Sequence, residues 1–384
     1  MIQNLFDTFY ALSVLQWTVV AVAFFLWFGR FLYLLLLPLR LVFRKSNTSV
    51  EKKEPLSVLV LVRNEAENCR ETLPRLLNLK AEGLEVVAVD DFSQDNTLSV
   101  LGLLKQQYGN LKISSLSQET RYSEKLAQNV ALKSATNNWV LVYPVAAQNV
   151  SAEWLSGMSK VVGTGVEIKI GYSTIEPQKG WFNKLYRIEN FFQQLGSAGY
   201  VLNRLAFVYN EENIAFKKET YFKLGGYGAK VQEPFANLEL VINRFISRKK
   251  AELIFKAETA IVKKVEVNRL DFKNLLRKSI RIEKHLSTWK RLVLNADLLS
   301  EAMYPLGIAT TLAFVFPIWP LVGILVVLKL LVFMVIIKIL QNRLNERKLF
   351  ITSLVFSFIR PYYKLIFRWH FNRISRNYKW KNKG

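Results

Sequence analysis

Apolar residues fall into three patterns along this chain: long uninterrupted runs, short β-branched runs, and stripes at helical spacing. The first long run is Ala11 to Gly29, continued after Arg30 by Phe31 to Leu37. A bilayer crossing takes about 20 apolar residues, so residues 1–40 predict one transmembrane anchor. Ala302 to Phe316 and Trp319 to Leu340 predict two more spans within 302–340, joined at Pro317-Ile318-Trp319-Pro320. Leu349 to Ile359 is too short to cross. Residues 349–384 therefore read as an interfacial segment, Leu349 to Trp369, and a basic tail that contains no acid from Arg360 onward. Arg30 is expected at the inner end of a tilted helix with its head snorkelling to water, and Lys329 as a second snorkelling or bundle-facing charge.

Residues 55–264 have a different texture. Ser57 to Val62 and Glu85 to Val89 are near-continuous apolar runs flanking a helical pattern with Leu73, Leu76, Leu77 and Leu79. Such runs predict parallel strands buried on both faces, a βαβ unit. Further helices are expected at Leu98 to Tyr108 and Glu124 to Thr136, and strands at Leu111 to Ser114 and Trp139 to Tyr143. Short β-like segments follow at Glu167 to Tyr172 and Asn213 to Phe216. The fold class is α/β. Ligands of such sheets bind beyond the carboxyl ends of the strands, where this chain has Arg63, Asn64 and Glu65, then Asp90 and Asp91. Asp91 has a plainer alternative, a helix N-cap followed by a Ser-x-Asp turn.

The formal net charge of +23 requires a polyanionic partner or surface. The aromatic residues lie in apolar runs and do not alternate with Lys and Arg, which argues against nucleic acid and for anionic lipid. Residues 268–298 fit that reading: Phe272, Leu276, Ile280, Leu286 and Trp289 approximate one helical face, and Lys273, Arg277, Lys278, Arg281 and Lys284 crowd the rest. A basic amphipathic helix in the membrane interface is expected, with a helix packed on the domain as the alternative. Arg40, Arg44, Lys45, Lys52 and Lys53 follow the first span and nothing basic precedes it. The positive-inside rule thus puts the N-terminus outside and the α/β domain in the cytoplasm, on the inner (plasma) membrane. Cys69 is the single cysteine, so no intrachain disulfide forms, and it reads as a small buried apolar residue.

An ordered set of motifs now resembles a known family. V-R-N-E-A-E-N, V-D-D-F-S-Q-D-N-T, E-K-L-A-Q-N-V-A-L-K-S-A-T-N-N-W-V-L-V, I-G-Y-S-T-I-E-P-Q-K-G-W-F-N-K-L-Y-R-I-E-N, N-I-A-F-K-K-E-T-Y-F-K-L-G-G-Y and R-I-E-K-H-L-S-T-W cover most of Pro55 to Trp289. Together they resemble membrane-bound family 2 glycosyltransferases. The resemblance implies the GT-A fold and a UDP-type nucleotide sugar as donor. It implies nucleoside contacts from Asp90 and Asp91, a pocket shaped by Arg63, Asn64 and Glu65, and Lys125 close to the nucleotide.

The same resemblance implies Mg²⁺ or Mn²⁺ held by an Asp-x-Asp after the strand Trp139 to Tyr143. Pro144-Val145-Ala146 stands there instead, so the degenerate positions Pro144 and Ala146 predict no metal site. Neutral Gln148 and Asn149 are poor substitutes for hard oxygen ligands. The family's base position falls on Ala236-Asn237, and Asn237 cannot accept a proton. Glu233, on the preceding loop, and Glu239, expected to face elsewhere on its helix, are substitute candidates. Glu211 and Glu212 stand where a sugar approaches and are expected to repel a diphosphate. Arg281 and Lys284, with Lys125, are the candidate phosphate-neutralising cations, and His285 reads as a surface residue. Two functions follow from the resemblance. One is transfer of a sugar to a membrane-associated or cell-surface glycan, as in polysaccharide biosynthesis. The other is a catalytically inactive pseudoenzyme, scaffolding or regulating an active glycosyltransferase or glycan-export complex.

Overall fold

The structure, a computed structural model, describes residues 10–44, 51–162 and 165–371. Lys45, the side chain of Lys52 and the basic tail beyond Phe371 lie outside the described residues. The described residues form two compact units, one gathering residues 10–44, 287–342 and 346–371, the other consisting mainly of residues 51–286. The first opens with α1 (Val14–Leu36), capped by Ser13 and Gln16, and the short α2 (Pro38–Val42).

The second unit is built on the expected βαβ pattern. After β1 (Glu51–Lys53) come β2 (Leu56–Val62), α3 (Ala66–Leu77), β3 (Glu85–Asp90), α4 (Thr97–Gln107), β4 (Leu111–Ser115), α5 (Ser123–Ser134) and β5 (Trp139–Val142). β2 pairs in parallel with both β3 and β5, and β3 with β4. Helices cover the sheet, so β2 and β3 are buried almost throughout and show no polar alternation. Leu73, Leu76 and Leu77 of α3 enter the core with Val58, Val60, Val86 and Leu101. Cys69 is fully buried in that core, and burial pushes its thiol up to about 12. We expect no labelling by a maleimide at pH 7.5 without denaturant and complete labelling with it, read by mass spectrometry.

The chain continues through α6 (Ala152–Ser159), β6 (Lys160–Val162), β7 (Ile168–Gly171), β8 (Ser173–Ile175), α7 (Trp181–Leu202), β9 (Ile214–Lys217), α8 (Lys218–Lys223), α9 (Glu239–Phe245), β10 (Ala251–Ile254), β11 (Ile261–Lys263) and α10 (Arg269–Lys284). β1 pairs with β6, and β11 with β8. The main sheet has seven strands in the order β10-β7-β9-β5-β2-β3-β4. β9 runs antiparallel to β5 and β7, so the loop entering it arrives at the edge where β2, β3, β5 and β7 end. Asn213 fixes that junction with a left-handed φ of 58°. Its amide donates to the Tyr172 and Thr259 carbonyls and accepts from the Trp154 indole. Gly171 must be glycine here, because a Cβ would overlap that amide.

Asn268 caps α10 in a reciprocal box with Asp271, and the helix ends at Lys284; the next begins at Thr288. The pattern read as one helix over 268–298 is therefore broken at His285–Ser287. Its basic face is also not all turned outward, since Lys278 and Arg281 pair with carboxylates of the α/β unit.

The remaining helices of the first unit are α11 (Thr288–Phe314), α12 (Trp319–Arg343) and α13 (Phe350–Phe371). Three helices are long and apolar enough to cross a membrane: Val14–Val42, Phe316–Arg343 and Phe350–His370. This corrects two expectations. Most of Ala302 to Phe316 is the end of a helix that closes at Phe314 and whose earlier turns carry Lys290, Arg291, Asp297 and Glu301. Conversely, Leu349 to Ile359 does not stop at Arg360, because α13 runs on through Pro361. Arg30 does not snorkel either. It is buried, ion-paired to Asp297 and 3.5 Å from Glu301, both on α11. Lys329 faces the bundle, 3.5 Å from the centre of the Tyr304 ring.

Candidate functional site

The loops after β2 and β3 are stitched to each other. The Asn64 N–H donates to the Ser93 hydroxyl, the Asn64 side-chain oxygen accepts from the Gln94 N–H, and the Glu65 N–H donates to the Thr97 hydroxyl. Asn64 holds a left-handed φ of 52° to do so, and Glu65 accepts from the Asn68 amide. These two side chains hold the loop's shape. Asp90 also works locally, accepting from the Ser93 hydroxyl and N–H.

Asp91 is placed differently. It is fully buried, and its Oδ2 accepts from the Ser123 hydroxyl at 2.9 Å and lies 3.8 Å from Arg63. Arg63 reaches on to Glu119 at 2.9 Å. Asp91 Oδ1 has no hydrogen-bond partner among the described residues. Burial raises the Asp91 pKa, with Ser123 and Arg63 opposing the shift. The plainer alternative fails, because α4 begins at Thr97 and the local turn is made by Asp95, which accepts from the Thr97 N–H.

Past β5 the chain turns at Pro144-Val145-Ala146, where the Ala147 N–H donates to the Pro144 carbonyl. The Val145 carbonyl accepts from Thr72, and the Ala146 carbonyl from the Lys264 N–H. Asn149 donates to the Ala260 carbonyl and accepts from the Val262 N–H. Nothing at this turn offers a hard anionic oxygen, so the residues do not fit Mg²⁺ or Mn²⁺. No group of three His, Cys, Asp or Glu side chains among the described residues is arranged to hold a metal ion.

The position of Asn237 is more populated than its sequence suggests. Its N–H donates to the Glu239 carboxylate at 3.0 Å. Glu239 therefore folds back beside Asn237 and does not face away. Lys278 reaches in from α10, ion-paired to Glu239 and 3.6 Å from Glu211. Burial and the neighbouring Glu211 hold both Glu124 and Glu239 above the usual carboxylate range, and Lys278 opposes the shift. Glu211 also accepts from Gln128 and the Leu238 N–H, each at 3.0 Å. Glu212 pairs with Lys263 at 2.6 Å and accepts from Ser173 at 2.7 Å. The repulsion expected of Glu211 and Glu212 is thus offset by two lysines. A polar pocket adjoins them, lined by Ser173, Tyr186, Asn190, Glu212, Lys263 and Lys278.

Glu233 pairs with Arg281 at 3.2 Å and His285 at 2.9 Å. Burial would raise its pKa, but the His285 hydrogen bond and the Arg281 charge outweigh it and hold the carboxyl below its ordinary value. A depressed carboxyl beside the Arg281 guanidinium and hydrogen-bonded to His285 is a poor proton acceptor. The Arg281 charge is directed at Glu233, and Lys284 sits close enough to Arg281 for burial and that charge to lower its pKa. Lys125 donates to the Glu233 carbonyl and lies 5.4 Å from the Tyr122 ring and 5.8 Å from the Tyr227 ring. It ties α5 to the loop ahead of α9.

Glu124, Lys263 and Lys278 were not legible as site residues. Glu124 precedes Lys125 in E-K-L, the one signal available; the lysines gave none, because ion pairing between residues far apart in sequence leaves no periodicity.

The sequence model described as glycosyl transferase family 2 matches residues 57–143, from β2 to the turn after β5. Among solved structures, the mannosyltransferase PcManGT from Pyrobaculum calidifontis, in complex with GDP-Man and Mn²⁺, superposes with a TM-score of 0.51 at 18% identity. That alignment covers 88% of this chain and 98% of the other. Residues 1–349 of S. aureus TarS align at 14% identity over 85% of this chain and 94% of that one, with a TM-score of 0.39. No curated protein matches the sequence.

Proposed function

Because its soluble unit is a GT-A domain whose nucleotide-binding half is that of family 2 glycosyltransferases, we propose that this protein takes a sugar from a UDP-type nucleotide sugar and transfers it to a membrane-associated glycan acceptor. Asp91 carries the reading. A buried carboxylate with an unmatched acceptor oxygen, at the carboxyl end of a central parallel strand, calls for a donor group from a ligand. An N–H of a nucleobase is such a donor. Arg63 helps to hold the Asp91 carboxylate, and the loops fixed by Asn64, Glu65 and Asp90 shape the pocket around it.

The diphosphate is then met by side chains and not by a metal, with Lys125, Arg281 and Lys284 the nearest candidates named by sequence. The three apolar helices anchor the unit, and the basic residues after α1 favour the cytoplasmic face of the plasma membrane, against anionic lipid. A second reading, an inactive scaffold or regulator for an active glycosyltransferase or glycan-export complex, is favoured by Pro144-Val145-Ala146 and Asn237, which lack the family's metal ligands and base.

Calorimetry on the detergent-solubilised protein tests the binding. UDP or GDP is expected to bind with an affinity that EDTA or added Mn²⁺ changes by less than about twofold, the factor set by side-chain charges that no chelator removes. Strong enhancement by Mn²⁺ would falsify the metal-free site, and undetectable nucleotide binding would remove the whole reading. Binding without release of nucleoside diphosphate from UDP-glucose or GDP-mannose would select the inactive scaffold.

A further inference from the structure

Resting on the glycosyl-transfer reading above, we propose that the polar pocket at Glu212 is an acceptor subsite and that it takes one uncharged sugar ring. Its frame is α7. Tyr186, Asn190 and Gln193 stand four and three residues apart on that helix, so they share one face, and all three line the pocket. A helix packed on a core ordinarily turns apolar residues inward. Here Asn190 and Gln193 are buried, and the face they make is polar. Ser173 of β8, with Asn210 and Glu212 on the loop entering β9, adds to the lining. That loop arrives at the sheet edge where β3 ends, so the pocket and Asp91 lie on one edge.

The lining offers neutral hydrogen-bonding groups that the fold leaves unused. Gln193 donates its amide N–H to Glu189 at 2.9 Å, and its side-chain oxygen accepts nothing among the described residues. Asn210 is the converse: its oxygen accepts the Glu212 N–H at 3.1 Å, and its NH2 donates to nothing among them. Tyr186 is half-buried, and its hydroxyl makes no hydrogen bond among the described residues. One acceptor, one donor and one group that can be either match a ring bearing several hydroxyls. The cavity of about 60 Å³ has room for roughly four to six waters, about what a single pyranose displaces.

Two lysines in the lining would suit a phosphate or a carboxylate, but both are already answered. Lys263 pairs with Glu212 at 2.6 Å, and the other Glu212 oxygen accepts from Ser173 at 2.7 Å. Lys278 pairs with Glu239 and lies 3.6 Å from Glu211. Three carboxylates thus face two ammoniums, and an anionic ligand would have to displace a carboxylate or sit against one. A cationic ligand would meet both ammoniums at the wall. An uncharged ring does neither.

Ligand-observed NMR titration of the full-length protein, in a detergent without a sugar headgroup, is the test, with UDP and GDP measured on the same preparation. The neutral probes are cellobiose, maltose, methyl α-mannoside and N,N′-diacetylchitobiose; the acidic ones are glucuronic acid and glucose 6-phosphate. At least one neutral sugar is expected to bind about tenfold or more tighter than either acidic one. Tyr186→Phe and Asn210→Asp each remove one offered group and keep the contacts the fold uses. Each should weaken that sugar by about twofold to tenfold, the effect of one hydrogen bond, with UDP and GDP affinities held within about twofold. Glu212→Gln releases Lys263 and should strengthen an acidic sugar by about tenfold or more, a gain that mere loosening of the pocket would not produce. If Glu212→Gln does not fold, the other two variants decide. Nucleotide binding with none of the four neutral sugars bound overturns the proposal and leaves the function standing. Wild-type preference for an acidic sugar does the same, as does unchanged affinity in both Tyr186→Phe and Asn210→Asp. Sugar binding without nucleotide binding overturns the acceptor role and the function together.

Discussion

Lys278→Met is expected to destabilise the soluble unit by about 3–5 kcal/mol, the range measured when one partner of a buried ion pair is removed. The ammonium lies between Glu239, which is fully buried, and Glu211, and without it both carboxylates face each other uncompensated. The pH dependence follows from the direction of the Glu239 shift. A carboxyl whose folded pKa is raised costs stability when ionised, and that cost grows from the unfolded value, near 4.5, up to the folded one. Losing Lys278 raises the folded value further. The stability gap between variant and wild type should therefore be small at pH 5 and full at pH 8, read by denaturant unfolding. Adding Glu239→Gln to Lys278→Met should return part of the loss. Equal stability of Lys278→Met and wild type at pH 8 would show that the pair is solvated and does not dock α10.

Asp91→Asn separates binding from folding. Its Oδ1 is the unmatched acceptor, and a hydrogen bond to a charged group contributes about 1.5–3 kcal/mol, so nucleotide affinity should fall by about tenfold to 150-fold. The unfolding midpoint should hold or rise, because burial already penalises the ionised form and the amide removes that penalty. Since burial raises the Asp91 pKa, wild-type affinity should weaken as pH falls through it, whereas the variant should show a flat profile. Calorimetry at a series of pH values reads both; undiminished affinity in the Asp91→Asn variant would place the nucleobase elsewhere.

Hydropathy made the sheet legible because β2, β3 and β5 are buried on both faces and leave almost uninterrupted apolar runs. The strand ends, and with them Asp90 and Asp91, followed to within a residue. The pattern is silent about which charges pair across the fold. Lys278 and Arg281 look like lipid-facing bases in sequence, and Glu211 and Glu212 like a repulsive pair, until α10 is laid against the α9 loop. Glu239 was misjudged because helical spacing was applied to a residue at the helix start, where the side chain folds back onto the preceding N–H. The last apolar run was read as ending at Ile359, yet α13 continues through Arg360 and Pro361 and gains the length to cross a membrane.

The pairing of Arg30 bears on the order in which this chain is made. In a bilayer an unpaired arginine in a helix costs roughly 2.5–3.5 kcal/mol at insertion. Its partner Asp297 is 267 residues further along. The first helix therefore leaves the ribosome carrying a charge that nothing yet answers, and it waits through synthesis of the whole α/β unit before α11 arrives. A nascent chain halted before Asp297 should hold α1 weakly and surrender it to extraction or quality control, and one halted after Glu301 should retain it.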